Sequence, residues 1–261
     1  MQIVGIGRVI FWSGGSLWIG QALAPAELHS HHAIQIGIGL SDKVQFRMSG
    51  SEDWVDYSAA IILPDIPHMF QAPGKIVAHI FCAPESVQGR GLLARFENHQ
   101  IIGLPPEELQ PHATALRRAF DHENQDEELE HAALETVFSL SGRVLRSSVD
   151  ARVLQAMAFI ASKLAEPLTL EEVSKHVELS PGRFRHLFVA ETGISFRAYL
   201  LWTRLNRALE LGFGGASWTD AAHATNFSDS AHLSRTTRQM YGLAPSSLRH
   251  ELPAASRPMT A

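Results

Sequence analysis

The chain has 261 residues, 45% of them hydrophobic and 19% charged, with a net charge of -5 and a single cysteine, Cys82. That length fits two domains of ordinary size, and one cysteine excludes an internal disulfide framework and suits a reducing compartment. No apolar run reaches the ~18 residues that span a bilayer, and the N-terminus lacks the basic start and apolar stretch of a secretion signal; the expectation is a soluble cytoplasmic protein with no membrane partner.

Residues 1–85 read as β-structure. Two apolar runs flank Ser13-Gly14-Gly15-Ser16, a hairpin signal. Ile34, Ile36, Ile38 and Leu40 alternate with Ala33, Gln35, Gly37 and Gly39, a period of two. Val44, Phe46 and Met48 repeat it after a Ser41-Asp42-Lys43 turn, and residues 59–64 and 76–82 read as buried strands. Short strands with frequent turns and no intervening helix predict a barrel or sandwich.

Histidines gather here: His29, His31 and His32 before the alternating strand, and His68 after Pro64-Asp65-Ile66-Pro67. This pattern resembles the cupin barrel, whose enzymes bind a metal through two His, a Glu and a distal His. Gln35 stands where the Glu would be, and a neutral amide is a poor ligand for a hard divalent ion. The preferred reading is therefore no metal and no cofactor, with a small-molecule effector in the barrel lined by Trp18, His29, His31, His32, Gln35, Phe46, His68 and Phe70, and with Ile36 adding to an apolar lining. The metal candidates under the alternative are His29, His31 and His68.

Residues 86–149 turn helical. Residues 88–100 predict a short helix, and a second one starts at Pro105-Pro106. From Asp126 on, Leu129, Ala133, Leu134, Val137, Phe138, Leu140, Val144 and Leu145 form a broad apolar stripe, read as burial within its own domain or as a dimer seam. The acids at its start suit a helix N-terminus. Residues 147–150 mark a domain boundary.

Beyond it the charge changes sign. Residues 150–261 hold 12 Lys+Arg against 10 Asp+Glu, residues 1–149 hold 10 against 17, and residues 180–249 hold 8 against 4. A basic segment tied to an acidic one fits a nucleic-acid reader attached to another domain. Thr169 and Glu172 form a capping box, and Ser180-Pro181 supplies a cap with proline at the first helical position. Phe184, Leu187 and Phe188 then face a core, leaving Arg183, Arg185 and His186 on other faces, and Gly193 ends the helix. The plan repeats downstream: Ser217 caps a helix of small residues, Asn226 takes a left-handed turn, Phe227 plugs it, and Ser228 or Asp229 caps a helix carrying Arg235 and Arg238. Each is a helix-turn-helix.

LSPGRFRHLFVAETGISFRAYLLWTRLNRA and NFSDSAHLSRTTRQMYGLAP resemble the tandem helix-turn-helix domain of AraC/XylS-family transcription regulators. The departures are Asn226 for Gly, Leu233 for Phe, Thr237 for a core aromatic and Ala244 for Ser. The resemblance covers about residues 150 to 250 and implies an α+β chain. A cupin-like β-barrel (1–85), a helical segment suited to dimerisation (86–149), a DNA-binding domain (150–250) and a disordered tail (251–261) would follow one another.

The implied partners are double-stranded DNA at a promoter or operator, a small-molecule effector, RNA polymerase and a second copy of the chain. Base edges fall to Gly182, Arg183, Arg185 and His186 in one recognition helix, and to Ser230, Ala231, His232 and Arg235 in the other. Arg185 leads, because a guanidinium binds guanine O6 and N7 in two-pronged fashion. Arg204, Arg238 and first-turn backbone N–H groups suit phosphates. Two such helices would enter the major groove about one turn, ~34 Å, apart. No catalytic motif appears, so the reading is not an enzyme. The alternatives are a metal-dependent enzyme in the barrel, or a regulator that answers to a protein partner.

Overall fold

The computed structural model describes residues 3–96, 101–122, 126–142 and 149–250. The proposed boundary at 147–148, Val144 and Leu145 of the apolar stripe, and the tail 251–261 lie outside the described residues. The chain divides into two compact units, one of residues 1–144 with 238–261, the other of residues 145–237.

The first unit opens with β1 (Gly5–Trp12) and β2 (Gly15–Ala22), joined where the hairpin signal predicts, with Trp12 opposite Gly15. β3 (Ala26–His29), β4 (Ile34–Gly39), β5 (Val44–Met48), β6 (Val55–Tyr57), β7 (Ala59–Ile62), β8 (His68–Gln71) and β9 (Ile76–Cys82) follow. Then come α1 (Val87–Arg95), β10 (Ile102–Gly103), α2 (Pro106–Asp121) and α3 (Asp126–Ser141). Among the described residues, one sheet runs β10-β7-β4-β9-β2-β1 and ends on β11 (Leu248–His250); a second runs β3-β8-β5-β6. The chain thus passes between sheets at the Ser41–Lys43 turn.

The two faces of the larger sheet differ in kind. Ile34, Ile36 and Ile38 of β4, Leu17 and Ile19 of β2 and Ile80 of β9 form one core with Leu92, Leu109, Leu116, Leu129, Ala133, Val137 and Leu140 of α1, α2 and α3. Residues of opposite parity point into the space between the sheets, where Val44, Phe46, Ala60, Ile62, Phe70 and Val77 make a smaller core. Gly37 belongs to this inner face: a Cβ there would stand 2.6 Å from the Phe46 ring, so the strand carries no side chain at that point. This corrects the expectation for Ile36, which packs against the helices and does not line the barrel. The outer face is the apolar one because the helices leave no water there, and period two then sends Gln35 inward.

The apolar stripe of α3 is divided between two environments. Leu129, Ala133, Val137 and Leu140 are buried under the sheet, whereas Leu134 is 40% and Phe138 64% exposed.

Among the described residues, five helices and most of a sixth make the second unit: α4 (Ala151–Ser162), α5 (Leu170–His176), α6 (Pro181–Thr192), α7 (Phe196–Phe213), α8 (Trp218–Ala224) and α9 (Ser230–Tyr241), of which the unit holds the part up to Thr237. Val153, Ala156 and Ile160 of α4 close a core over Val173, Phe184, Phe188, Phe196 and Tyr199. The local signals act as their chemistry dictates. Thr169 and Glu172 form the reciprocal capping box, Ser180 accepts from Arg183 N, and Ser217 accepts from Asp220 N. Gly193 and Asn226 take φ of 81° and 60°, the left-handed conformation each turn requires.

Candidate nucleic-acid interface and buried histidine cluster

In α6 the first turn is led by Pro181 and capped by Ser180, and Phe184 and Phe188 are fully buried. Burying that face forces Gly182, Arg183, Arg185 and His186 outward, and all four are exposed. In α9 the carboxylate of Asp229 accepts from His232 N at 2.6 Å, and Leu233 and Thr237 are buried. Ala231, Arg235 and Arg238 are exposed, and Ser230 and His232 half-buried.

Several predicted residues carry structural work as well. The ring of His232 lies edge-on to Phe227 and its Nδ1 is 3.3 Å from Ser228 Oγ, so it braces the start of α9. Arg204 donates through Nε to Leu164 O and through Nη2 to Glu166 O, which ties α7 to the segment after α4. Thr237, placed where the resemblance leads one to expect an aromatic ring, is fully buried, and its hydroxyl donates to Leu233 O at 2.8 Å, so this core carries a satisfied polar group.

In the first unit the structure brings His29, His31, Gln35 and His68 together, and adds His79, which the sequence reading did not single out. Its signal was present: His79 alternates with Ala78 and Ile80 in β9 and so shares the inner face with Gln35. Gln35 lies 2.9 Å from His31 Nε2, 3.0 Å from His68 Nε2 and 2.9 Å from His79 Nδ1. Nδ1 of His29, His31 and His68 lies 2.7, 2.8 and 2.8 Å from the carbonyl oxygens of Glu27, Ala33 and Ile66. Burial drives the imidazoles toward the neutral form: His29 and His79 are pushed down to about 3, His31 is lowered, and His68 falls well below its usual value.

His32 stands apart, its Nε2 3.0 Å from Glu85 Oε2. Phe46 and Phe70 pack at 5.2 Å, and Phe70 meets His79 edge-on at 4.4 Å. Trp18 stacks on Tyr241 with ring centroids 4.7 Å apart, inside the first unit. Burial pushes the Cys82 thiol up to about 11, so it is not poised as a thiolate nucleophile. A separate groove of about 670 Å³ runs between the β4–β5 turn and α2, lined by Lys43, Gln110, Thr114, Arg117 and Arg118 among others; none of the predicted effector residues borders it.

Residues 173–251 match a family model described as a helix-turn-helix domain. Over 111 residues the chain is 33% identical to the regulatory protein PocR of Salmonella typhimurium, covering 42% of this chain and 36% of that protein. It is 30% identical over 106 residues to an uncharacterized HTH-type transcriptional regulator of Staphylococcus aureus strain MSSA476, covering 40% of this chain and 14% of the relative. The chain therefore spans about a third or less of the length of these relatives. Among solved structures, apo ToxT K231A from Vibrio cholerae superposes with a TM-score of 0.59 over 92% of this chain and 97% of that one, at 8% identity. Wild-type ToxT bound to an unsaturated fatty acid superposes with a TM-score of 0.54 over 89% and 92%, at 8% identity.

The C-terminal region is a DNA-binding helix-turn-helix domain of the kind found in transcription regulators. The chain as a whole shares the α+β fold of ToxT, an N-terminal β unit followed by a helical unit. No helix among the described residues is long and apolar enough to cross a membrane.

Proposed function

We propose that this protein is a sequence-specific DNA-binding transcription regulator of the AraC type, not an enzyme, whose DNA affinity responds to a small molecule held by the β unit. The observation that carries the first part is the pair of capped recognition helices whose buried apolar faces turn a basic, exposed face outward. Arg183, Arg185 and His186 of α6 and Ala231 and Arg235 of α9 are the base-edge candidates, with Gly182 and Ser230 allowing close backbone approach. Arg238 and the first-turn N–H groups of α6 suit phosphates. Arg204, whose guanidinium serves backbone carbonyls, is the weakest phosphate candidate of the set.

The effector reading rests on the inner face of the β unit, where Phe46 meets His68, Phe70 meets His79 and Trp18 meets Phe81 and Tyr241, the mix of aromatic and polar groups that orients a small ligand. ToxT has been solved with an unsaturated fatty acid bound. That supports a lipophilic ligand as the first class to try here. A homodimer through Leu134 and Phe138 of α3, and contact with RNA polymerase, complete the proposal.

The test is selection of bound sequences from random DNA with the full chain, followed by titration of the selected site at several salt concentrations. Selective binding that weakens with salt supports the reading. Binding without sequence preference, or none, overturns it.

A further inference from the structure

We propose that Trp218, seated on Gly212, is the positioning contact that holds the second recognition helix at a fixed distance from the first, and so sets the spacing of the two DNA sites read together. This deepens the DNA-binding reading and rests on it. Both residues lie between the two stretches that carry the family resemblance, so the resemblance gives them no role.

The second unit is built as two blocks. In the first, α7 is locked to α6: Phe196 and Tyr199 share a core with Phe184 and Phe188, and Phe188 meets Tyr199 edge-on at 5.2 Å. Farther along α7, the Arg204 guanidinium donates to Leu164 O and Glu166 O. In the second block, α8 is locked to the start of α9. Ala221, Ala222 and Leu233 are fully buried there, and Phe227 N donates to Ala222 O at 2.9 Å. The separation of the recognition helices is therefore decided where α7 meets α8.

That joint has two fittings. Through the backbone, Gly214 N donates to Glu210 O, Ala216 N to Leu211 O and Gly215 N to Gly212 O, with Gly215 at φ 103°. This turn fixes where α8 begins, and a side-chain contact fixes where it points. Ser217 caps α8 and Trp218 is its first residue. The indole lies on Gly212, where a Cβ would stand 2.0 Å from Cζ3 and 2.5 Å from Cε3. Carbon atoms in ordinary contact are about 3.5–4.0 Å apart. Phe213 meets the same ring edge-on at 5.4 Å. Glycine in a helix costs about 1 kcal/mol relative to alanine. α7 carries that cost at Gly212, and in return the widest side chain reaches its backbone.

The test measures the separation directly and needs no DNA. Spin labels are attached at Arg183→Cys on α6 and Arg235→Cys on α9, both exposed positions, in full-length protein carrying Cys82→Ser. Double electron–electron resonance should give one narrow distance. Gly212→Ala pushes the ring off its seat and shifts that distance. Trp218→Ala broadens it. The Gly212→Ala/Trp218→Val double variant makes room for the new methyl group and returns the distribution toward the wild-type one. A contact that served packing alone would lower the melting temperature and leave the distances unchanged, which would overturn the proposal.

Unlabelled variants with native Arg183 and Arg235 are then offered the selected DNA site and copies with one base pair added to or removed from its middle. Linked readers lose their joint advantage when geometry forbids both to engage, so Gly212→Ala should bind the selected site about tenfold or more weakly. It should favour a changed spacing, yet match the wild-type chain on copies in which the part read by α9 is scrambled. A shifted distance with the wild-type spacing preference also overturns the proposal. A wild-type chain that selects no sequence overturns the DNA reading instead, and the label distances judge the joint separately.

Discussion

Gln35 and Ile36 are neighbours in β4 and serve opposite sides of the sheet: Ile36 is fully buried against the helices, while Gln35 joins His31, His68 and His79 between the sheets. Each position therefore fails differently. Ile36→Ala removes buried methyl groups and leaves a void under the helices, at a cost of about 2–5 kcal/mol. Chemical denaturation is expected to show a lower midpoint, with the first unit's transition affected.

The buried histidines make acid stability a direct readout of that inner face. Their folded values lie below the ordinary 6.5, with His29 and His79 at about 3. An unfolded chain takes up protons that the folded chain refuses, so stability is full above about 6.5 and falls as pH drops from there toward 3. Each such group adds a slope of up to about 1.4 kcal/mol per pH unit. Denaturation of chelator-treated protein at pH 7, 6 and 5 should show progressive loss, and a flat profile would mean that the imidazoles are not neutral and buried together.

Arg185 and Arg238 separate sequence reading from electrostatics. Arg185→Ala is expected to cost about 1–3 kcal/mol on the preferred DNA and to relax the preference at one base pair. Arg238→Ala should weaken all sequences alike and reduce the salt slope by about one. Fluorescence anisotropy on matched and mutated sites checks both, and interchanged effects would reassign the two residues.

Asn226 sits at φ 60° in the turn between α8 and α9. Asn226→Ala keeps the β-carbon but loses the short polar side chain whose local hydrogen bonding eases that conformation, at about 1 kcal/mol. Asn226→Gly should leave the melting temperature near the wild-type value. Equal losses in both would point to the side-chain amide instead of the backbone.

Phe138, 64% exposed and one helical turn from Leu134, tests the proposed dimer. Phe138→Glu should leave thermal stability within about 0.5 kcal/mol, as surface changes do. Sedimentation should then shift from dimer to monomer. A wild-type chain already monomeric at the same concentration would remove that role from α3.

Much of this architecture was legible because its signals are local. The capping box at Thr169 and Glu172, the proline after Ser180 and the left-handed Asn226 each act within four residues, and each is where the chain requires it. Alternation in β4 was equally plain, but a period of two says only that the faces differ, not what each will meet. The apolar face went to the helices, and so Ile36 left the interior and His79 entered it. β11 was illegible for another reason: three residues carry no periodicity, and its partner is β1, more than 200 residues earlier in the chain. The apolar stripe of α3 reads as burial in its own domain or as a dimer seam, and the sequence could not say where one ends: Leu134 and Phe138 lie exposed beyond the sheet's reach.

The pairing of β1 with β11 sets an order of events in biosynthesis. Gly5, Ile6 and Gly7 leave the ribosome more than 200 residues ahead of their parallel partners Leu248, Arg249 and His250. Until those arrive, β1 presents an unpaired edge to its surroundings, the kind of edge that recruits other strands. The nascent chain is thus exposed to mispairing while every intervening element is made, and a stop ahead of Leu248 would leave that edge of the sheet open.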